Sequence, residues 1–418
     1  MRTMVRAAML LLGLLCVGAA LVWWLNVRGE QPMAATHGEP AFTSEQIQRG
    51  AYLARAGNCS ACHTDRGGAP YAGGKGIPTP FGTVFASNLT PDLRTGIGSW
   101  SAAQFWRAMH HGRSKDGRLL YPAFPYPSFT LITRDDADAL YAFLRSQAPV
   151  QQPNRPHELR FPFNLQASLA VWRALFFAPH TFERVAGRPD AWNRGAYLVR
   201  ALGHCDACHA PRNVFGATRS ALELRGGLIP NQHWYAPSLA DSGEAGVADW
   251  PLDEVVRLMG TGISARGAAM GPMAEVVFRS TQHMTDADLR AMASYLQSLP
   301  HREPAAPDAR IAKPETLELG QRIYAKQCAR CHGDRGEGLG PYPALVNHRT
   351  VTMGQHTNLV RVIVSGGFPP TTGGNPRPYG MPSLPLDDDE VAAVASFVRS
   401  AWGHKASAVT AFEVRDLR

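Results

Sequence analysis

The sequence predicts an all-α protein: three tandem helical domains behind an N-terminal membrane-spanning helix. Three observations carry that expectation. One Cys-x-x-Cys-His pattern occurs three times, each stretch that follows it closes with an amphipathic segment, and an uncharged apolar run stands near the N-terminus. At about 150 residues per domain, 418 residues suit two or three domains. A hydrophobic content of 45% excludes a fully disordered chain. Seven cysteines are too few for a disulfide-stapled scaffold of this length. Gly 40 and Pro 32 make up about one residue in six, so long loops are expected around modest helices.

The cysteines decide the chemistry. Six fall in Cys59-Ser-Ala-Cys62-His63, Cys205-Asp-Ala-Cys208-His209 and Cys328-Ala-Arg-Cys331-His332. This spacing reads as c-type haem attachment. Two thiols three positions apart can each form a thioether to one porphyrin vinyl group, and the adjacent histidine then reaches the iron. A zinc knuckle needs four ligands per site, and each motif offers three together. A redox dithiol needs no following histidine. The reading is therefore three covalent haems c, with Cys59, Cys62, Cys205, Cys208, Cys328 and Cys331 as attachment residues and His63, His209 and His332 as iron ligands. Cys16 alone remains, inside the apolar run.

That run, Ala7 to Leu25, follows Arg2 and Arg6 and ends beside Trp23 and Trp24. Its nineteen residues approach the roughly 20 that span a bilayer as a helix. The arginines favour a cytoplasmic N-terminus, and the Trp pair suits the far interface. A cleaved signal peptide would have a shorter apolar core with a small-residue site directly after it. Here the nearest such site is Pro-Met-Ala-Ala (32–35), so an uncleaved anchor is preferred.

Arg49-Gly-Ala-Tyr-Leu-Ala-Arg-Ala precedes the first motif, Arg194-Gly-Ala-Tyr-Leu-Val-Arg-Ala the second, and the looser Gly320-Gln-Arg-Ile-Tyr324 the third. Closing helices are expected at 133–146, 285–298 and 386–400. Each has acidic residues in its first turn and apolar residues at helical spacing. Thr133 and Thr285 are natural N-caps. The expected organisation is an anchor over 1–30, domains over 42–150, 189–300 and 315–404, and linkers over 151–188 and 301–314. Proline in both linkers favours extended spacers. The first also holds an aromatic helix with Leu165, Leu169, Trp172 and Phe176 on one face. That face reads as covering an inter-domain seam, or as docking a partner or the membrane.

Methionine opposite histidine is the usual sixth ligand of an electron-transfer haem. Met381 is preferred to Met353 in the third domain. Met273 is preferred to Met270, Met284 and Met259 in the second. The first domain has Leu120-Tyr-Pro-Ala-Phe124-Pro-Tyr-Pro at the equivalent place, and phenylalanine cannot ligate iron. Five-coordination, Met109, or His110 or His111 are the alternatives. His110 and His111 otherwise read as exposed polar residues beside a turn.

The chain resembles the three-haem cytochrome c subunits of membrane-bound periplasmic dehydrogenases over nearly all of 45–403. Thr79-Pro-Phe-Gly-Thr-Val, Ser87-Asn-Leu-Thr-Pro-Asp, Thr95-Gly-Ile-Gly, Leu120-Tyr-Pro-Ala-Phe-Pro-Tyr, Phe161-Pro-Phe-Asn, Cys205-Asp-Ala-Cys-His-Ala-Pro-Arg-Asn and Gly271-Pro-Met-Ala-Glu-Val-Val carry the likeness. It implies three tandem class I cytochrome c domains. It also implies that substrate is oxidised on a separate catalytic subunit, of quinoprotein, flavoprotein or molybdenum type, and that this chain passes electrons to ubiquinone or a terminal oxidase. By position it supports Met273 and Met381 as ligands. Where the alcohol dehydrogenase subunits have methionine, this chain has Phe124, a departure more similar to the cytochromes that accompany molybdenum hydroxylases. The haem domains are expected to face the periplasm from the inner membrane. The rivals are a peroxidase-like haem enzyme and a stand-alone electron shuttle. No Ser/His/Asp set or paired carboxylates stand beside the motifs, which favours a carrier. Subtracting six propionate charges from +8 leaves about +2, so the basic balance gives no reason to expect nucleic acid.

Overall fold

The computed structural model describes residues 1–30, 41–218, 223–300 and 310–418. The small-residue stretch 32–35 and residues 301–309 of the expected second linker lie outside these. An apolar helix, α1 (Arg2–Val27), opens the chain. Its 26 residues span roughly 39 Å at 1.5 Å per residue, more than a bilayer core. The first repeat follows: α2 (Ser44–Ala56), α3 (Cys59–His63), β1 (Gly76–Thr79), β2 (Gly82–Phe85), α4 (Ala102–His111), α5 (Tyr126–Phe129) and α6 (Arg134–Arg145). Between repeats lie β3 (Glu158–Leu159) and α7 (Gln166–Phe176). The second repeat has α8 (Asp190–Tyr197), α9 (Asp206–His209), β4 (Arg225–Ile229), β5 (Trp234–Ser238), α10 (Leu252–Thr261), β6 (Ile263–Ser264), β7 (Gly267–Ala268), α11 (Gly271–Arg279) and α12 (Asp286–Gln297). The third has α13 (Pro314–Ile323), α14 (Ala329–His332), α15 (Arg349–Thr352), α16 (Thr357–Ser365), α17 (Asp388–Ser400) and α18 (Ala411–Asp416).

The three closing helices α6, α12 and α17 start where their caps require. Thr133 accepts from the Asp136 amide, Thr285 from that of Asp288, and Asp387 from that of Glu390. In each repeat the closing helix crosses the helix that leads into the haem motif, and a glycine sits at the crossing. A Cβ on Gly50 would stand 1.9 Å from the Ala139 carbonyl oxygen. On Gly195 it would stand 1.9 Å from that of Ala291, and on Gly320 2.2 Å from that of Ala393. Only glycine admits so close a backbone approach. The repeated glycine before each motif is thus a packing residue.

The all-α expectation needs one correction. The long loops carry small antiparallel sheets, β1-β2-β3, β4-β5 and β6-β7. Their cause is local. A loop that runs over the domain surface must still pair its backbone groups, and tight turns let it pair with itself. Thr79 and Gly82 close such a turn around Pro80-Phe81, with the Thr79 hydroxyl donating to the Gly82 carbonyl at 2.6 Å.

The segment between the first two repeats is packed. β3 pairs with β2, Phe182 donates its amide to the Leu131 carbonyl at 3.2 Å, and α7 lies against the end of α1. There the buried Asn26 donates to the Ala170 carbonyl (2.9 Å) and accepts from Arg173 Nε (2.9 Å). Arg113 secures the same end, reaching the Asn26 carbonyl at 3.0 Å and Glu30 at 2.7 Å.

The apolar core is divided unevenly. One cluster runs continuously through the first two repeats, from Leu53 to Leu296. A second belongs to the third repeat, from Ile323 to Val414. The RGAY repeat explains the join. Arg49 binds Asp136 within the first repeat (2.8 Å), and Tyr197 of the second donates to the same carboxylate (2.6 Å). Reciprocally, Arg194 binds Asp288 (2.9 Å), and Tyr52 of the first repeat donates to it (2.6 Å). The third repeat has Leu319 and Arg322 where these have Arg and Tyr, and Glu390 at the Asp position serves its own cap. It meets the second repeat through separate contacts outside either core, among them Asn358 with the Tyr235 backbone (2.9 and 2.8 Å), Arg349 with Asp249 (3.0 Å) and Pro370 against Gly262.

Arg310, in the segment that leads into α13, is clasped to the C-terminal helix α18: it binds both Glu413 carboxylate oxygens at 3.1 Å. Burial would raise the Glu413 carboxyl, but Arg310 and Thr410 outweigh it and hold the pKa at about 2. A lowered folded-state pKa gives stability that is present above the ordinary carboxyl range and lost as pH falls toward about 2. Amide exchange across 411–416 is therefore expected to quicken as pH drops from about 4.5 to about 2 once the intrinsic pH dependence is removed. In Glu413→Gln it is expected to be fast already at neutral pH. Equal protection in that variant would refute the clasp.

Candidate haem-binding sites

Each Cys-x-x-Cys-His motif folds as a short helical turn at the end of a longer helix. In the second and third repeats a π-helical turn, Leu198–Leu202 or Tyr324–Cys328, leads into it. Such turns often mark functional positions. In the first, Gly57 and the left-handed Asn58 (φ 53°) do so.

The histidines test the fit to haem. His63 Nδ1 lies 2.7 Å from the Ser87 carbonyl, His209 Nδ1 2.7 Å from that of Pro237, and His332 Nδ1 2.9 Å from that of Pro343. A carbonyl only accepts, so Nδ1 carries the proton and Nε2 keeps its lone pair. Metal-bound histidines are held in this way, with the second ring nitrogen tied to a carbonyl. Burial, opposed by that backbone bond, lowers the pKa of His63 and of His209, which keeps both rings neutral. The motifs therefore fit c-type haem: neighbouring thiols for the thioethers and one oriented imidazole for iron.

The thiols are unsuited to redox exchange. Burial pushes Cys59 and Cys205 up to about 12 and Cys328 to about 11, whereas reactive dithiols lower theirs.

The carbonyl partners are not legible in the motif itself. They lie 24, 28 and 11 residues beyond their histidines. A weak signal exists, since each is followed two positions later by leucine (Leu89, Leu239, Leu345).

Met273 lies in the first turn of α11 and is 36% exposed. Met259 is buried in the core and Met284 packs against it. In the third repeat Met381 pairs its backbone with Gly367, both bonds at 2.9 Å, while Met353 is buried on a turn held by Arg399. Met270 turns outward from its repeat: its methyl lies 3.0 Å from where a Cβ on Gly367 would stand.

The first repeat differs. Phe124 packs on Phe129 with ring centroids 5.4 Å apart. His110 and His111 are not exposed beside a turn, as expected, but buried with Met109. α4 ends against α5, so its last turn faces protein instead of solvent. His110 stacks on Trp106 with ring centroids 4.4 Å apart. Burial, with His110 adding to it, lowers His111 to about 4.

The first motif meets the second repeat at α11, which packs on α3. Lys75 joins the Ala61 carbonyl (2.6 Å) to Glu275 of α11 (3.6 Å).

The chain is similar to known proteins over most of its length. The family model described as cytochrome c matches residues 47–148 and 317–402, which hold the first and third motifs. The cytochrome c subunit of alcohol dehydrogenase (quinone) from Gluconacetobacter polyoxogenes is 39% identical over 400 residues, covering 91% of this chain and 85% of that one. The gluconate 2-dehydrogenase cytochrome c subunit of Pantoea cypripedii is 37% identical, covering 89% of each. The fructose dehydrogenase cytochrome subunit of Gluconobacter japonicus is 33% identical, covering 94% of this chain and 86% of that one. Attachment motifs, oriented histidines and near full-length similarity coincide, and the chain belongs to the family of cytochrome c electron-transfer subunits of dehydrogenase complexes.

Proposed function

We propose that this chain is a tri-haem electron-transfer subunit, organised as three cytochrome c domains. It takes electrons from a catalytic dehydrogenase subunit and delivers them to ubiquinone or a terminal oxidase. The observation that carries this reading is the threefold motif with its histidine Nδ1 bonded to a backbone carbonyl. Each Cys pair would hold one haem covalently. His63, His209 and His332 would bind iron, with Met273 and Met381 opposite the latter two. Bound haem supplies a one-electron Fe(III)/Fe(II) couple. The chain supplies ligation, burial and spacing.

Two contacts support a route through the second repeat. Lys75, bonded to the Ala61 carbonyl inside the first motif, reaches Glu275 of α11 at 3.6 Å, and Met270 lies against Gly367, whose backbone pairs with Met381. α1 would hold the subunit in the inner membrane, with the haem domains on the periplasmic side.

The test is the double change Cys328→Ala, Cys331→Ala in the purified complex. Haem content is expected to fall from three to two per chain, and substrate-to-quinone turnover is expected to drop at least tenfold while reduction of the remaining haems by substrate persists. Full turnover in the doubly substituted complex would refute the reading.

A further inference from the structure

We propose that α7 and the loop tip at 214–216 lie in the lipid interface beside α1, as a second membrane attachment. This rests on the reading of α1 as a membrane anchor and goes beyond it.

The argument begins with an inverted helix. A surface helix normally turns its charges to water and its apolar stripe inward. Gln166–Phe176 holds one charged residue, Arg173, and that residue is 3% exposed. The outer positions are apolar instead: Val171 is 47% exposed and Leu175 68%. The apolar surface continues off the helix. Phe176 lies 6.0 Å from Phe215, Trp172 donates to the Phe215 carbonyl at 2.9 Å, and Gly216 abuts Phe81, whose ring meets Phe163 at 4.4 Å. Val214 at the tip is 86% exposed. A contiguous apolar surface of this kind marks an interaction site.

Its position selects the occupant. α7 touches α1 in the last turn of that helix, where Asn26 bonds Ala170 and Arg173. Trp23 and Trp24, the residues suited to the headgroup level, stand in the same turns and are 66% and 54% exposed. Burying Arg173 on Asn26 thus turns the uncharged face of α7 outward at the depth where α1 leaves the bilayer. With two attachments instead of one, the first two repeats cannot rotate freely about the anchor axis.

The test uses the full-length chain reconstituted in phospholipid bilayers, with a spin label placed singly at 12, 116, 175 or 214 on a Cys16→Ser background. Accessibility to oxygen is compared with accessibility to a water-soluble nickel chelate. Labels at 175 and 214 are expected to favour oxygen, as the label at 12 does, while the label at 116 favours nickel. Labels at 175 and 214 as nickel-accessible as the one at 116, with the label at 12 still in lipid, would overturn the proposal alone. A nickel-accessible label at 12 would overturn the anchor reading beneath it. Shielding of 175 from both reagents only when the catalytic subunit is added would assign the surface to that partner and also overturn the proposal.

Discussion

Asp136→Ala is expected to destabilise the first two repeats by about 1–3 kcal/mol, the cost of leaving the buried Tyr197 hydroxyl without its acceptor, since Arg49 is half exposed and water can take up its charge. Asp136 is 2% exposed and accepts from Arg49 and, across the repeat boundary, from Tyr197. Its loss leaves the buried Tyr197 hydroxyl without that acceptor and Arg49 without its partner. Denaturant unfolding of the holoprotein measures the cost. A double-mutant cycle with Tyr197→Phe is expected to show coupling of about 1–3 kcal/mol, because the two residues share one hydrogen bond. A cost within about 0.5 kcal/mol, as at an ordinary surface site, would show that the interlock contributes nothing. The effect is also expected to spread. The first two repeats share one core, so both are expected to unfold in a single transition that moves together in the variant. The third repeat, with its own core, is expected to keep its own midpoint.

The second large effect is expected at Arg399. This side chain is fully buried in α17, and backbone carbonyls satisfy it. Nε donates to Ser407 at 2.7 Å, and Nη1 to Val351 at 2.8 Å and Met353 at 2.9 Å. Burial lowers its pKa to about 10, so it remains charged at neutral pH. Arg399→Leu removes every donor at once and leaves those carbonyls buried. At about 1–3 kcal/mol per orphaned group, after some relaxation, the loss is expected to total about 3–5 kcal/mol. It is expected to appear in the third repeat alone, by thermal unfolding followed at its haem. Arg399→Lys is expected to recover only part, because one ammonium cannot reach all of these acceptors. If leucine left the third transition unmoved, the carbonyl cage would have no structural role.

The two variants separate features of different legibility. The interlock is half visible in the sequence: the RGAY repeat stands out, and Thr133 and Thr285 with Asp three positions on read as helix starts. That Asp136 and Asp288 also receive a tyrosine from the neighbouring repeat is not visible, because Tyr52 and Asp288 lie 236 positions apart. Arg399 is invisible, since a basic residue in the last turn of a helix reads as a response to the helix dipole. His110 and His111 mislead for a similar reason. Two polar residues before a glycine look like a turn in solvent, and burial against α5 is decided by packing.

By itself the sequence determined what depends on neighbours along the chain. The spacing of two thiols and a histidine sets the chemistry of attachment. The acidic, capped starts and apolar periodicity set the closing helices, and nineteen uncharged residues set the apolar helix at the N-terminus. Tertiary structure alone decided which carbonyl orients each histidine, that the first two repeats merge while the third stands apart, and that α7 turns its apolar face out beside α1. The physical reason is one of range. Capping, helical spacing and thioether geometry act within a turn or two of backbone. A buried donor instead takes whatever acceptor the folded chain brings within about 3 Å, and separation along the sequence does not limit that choice.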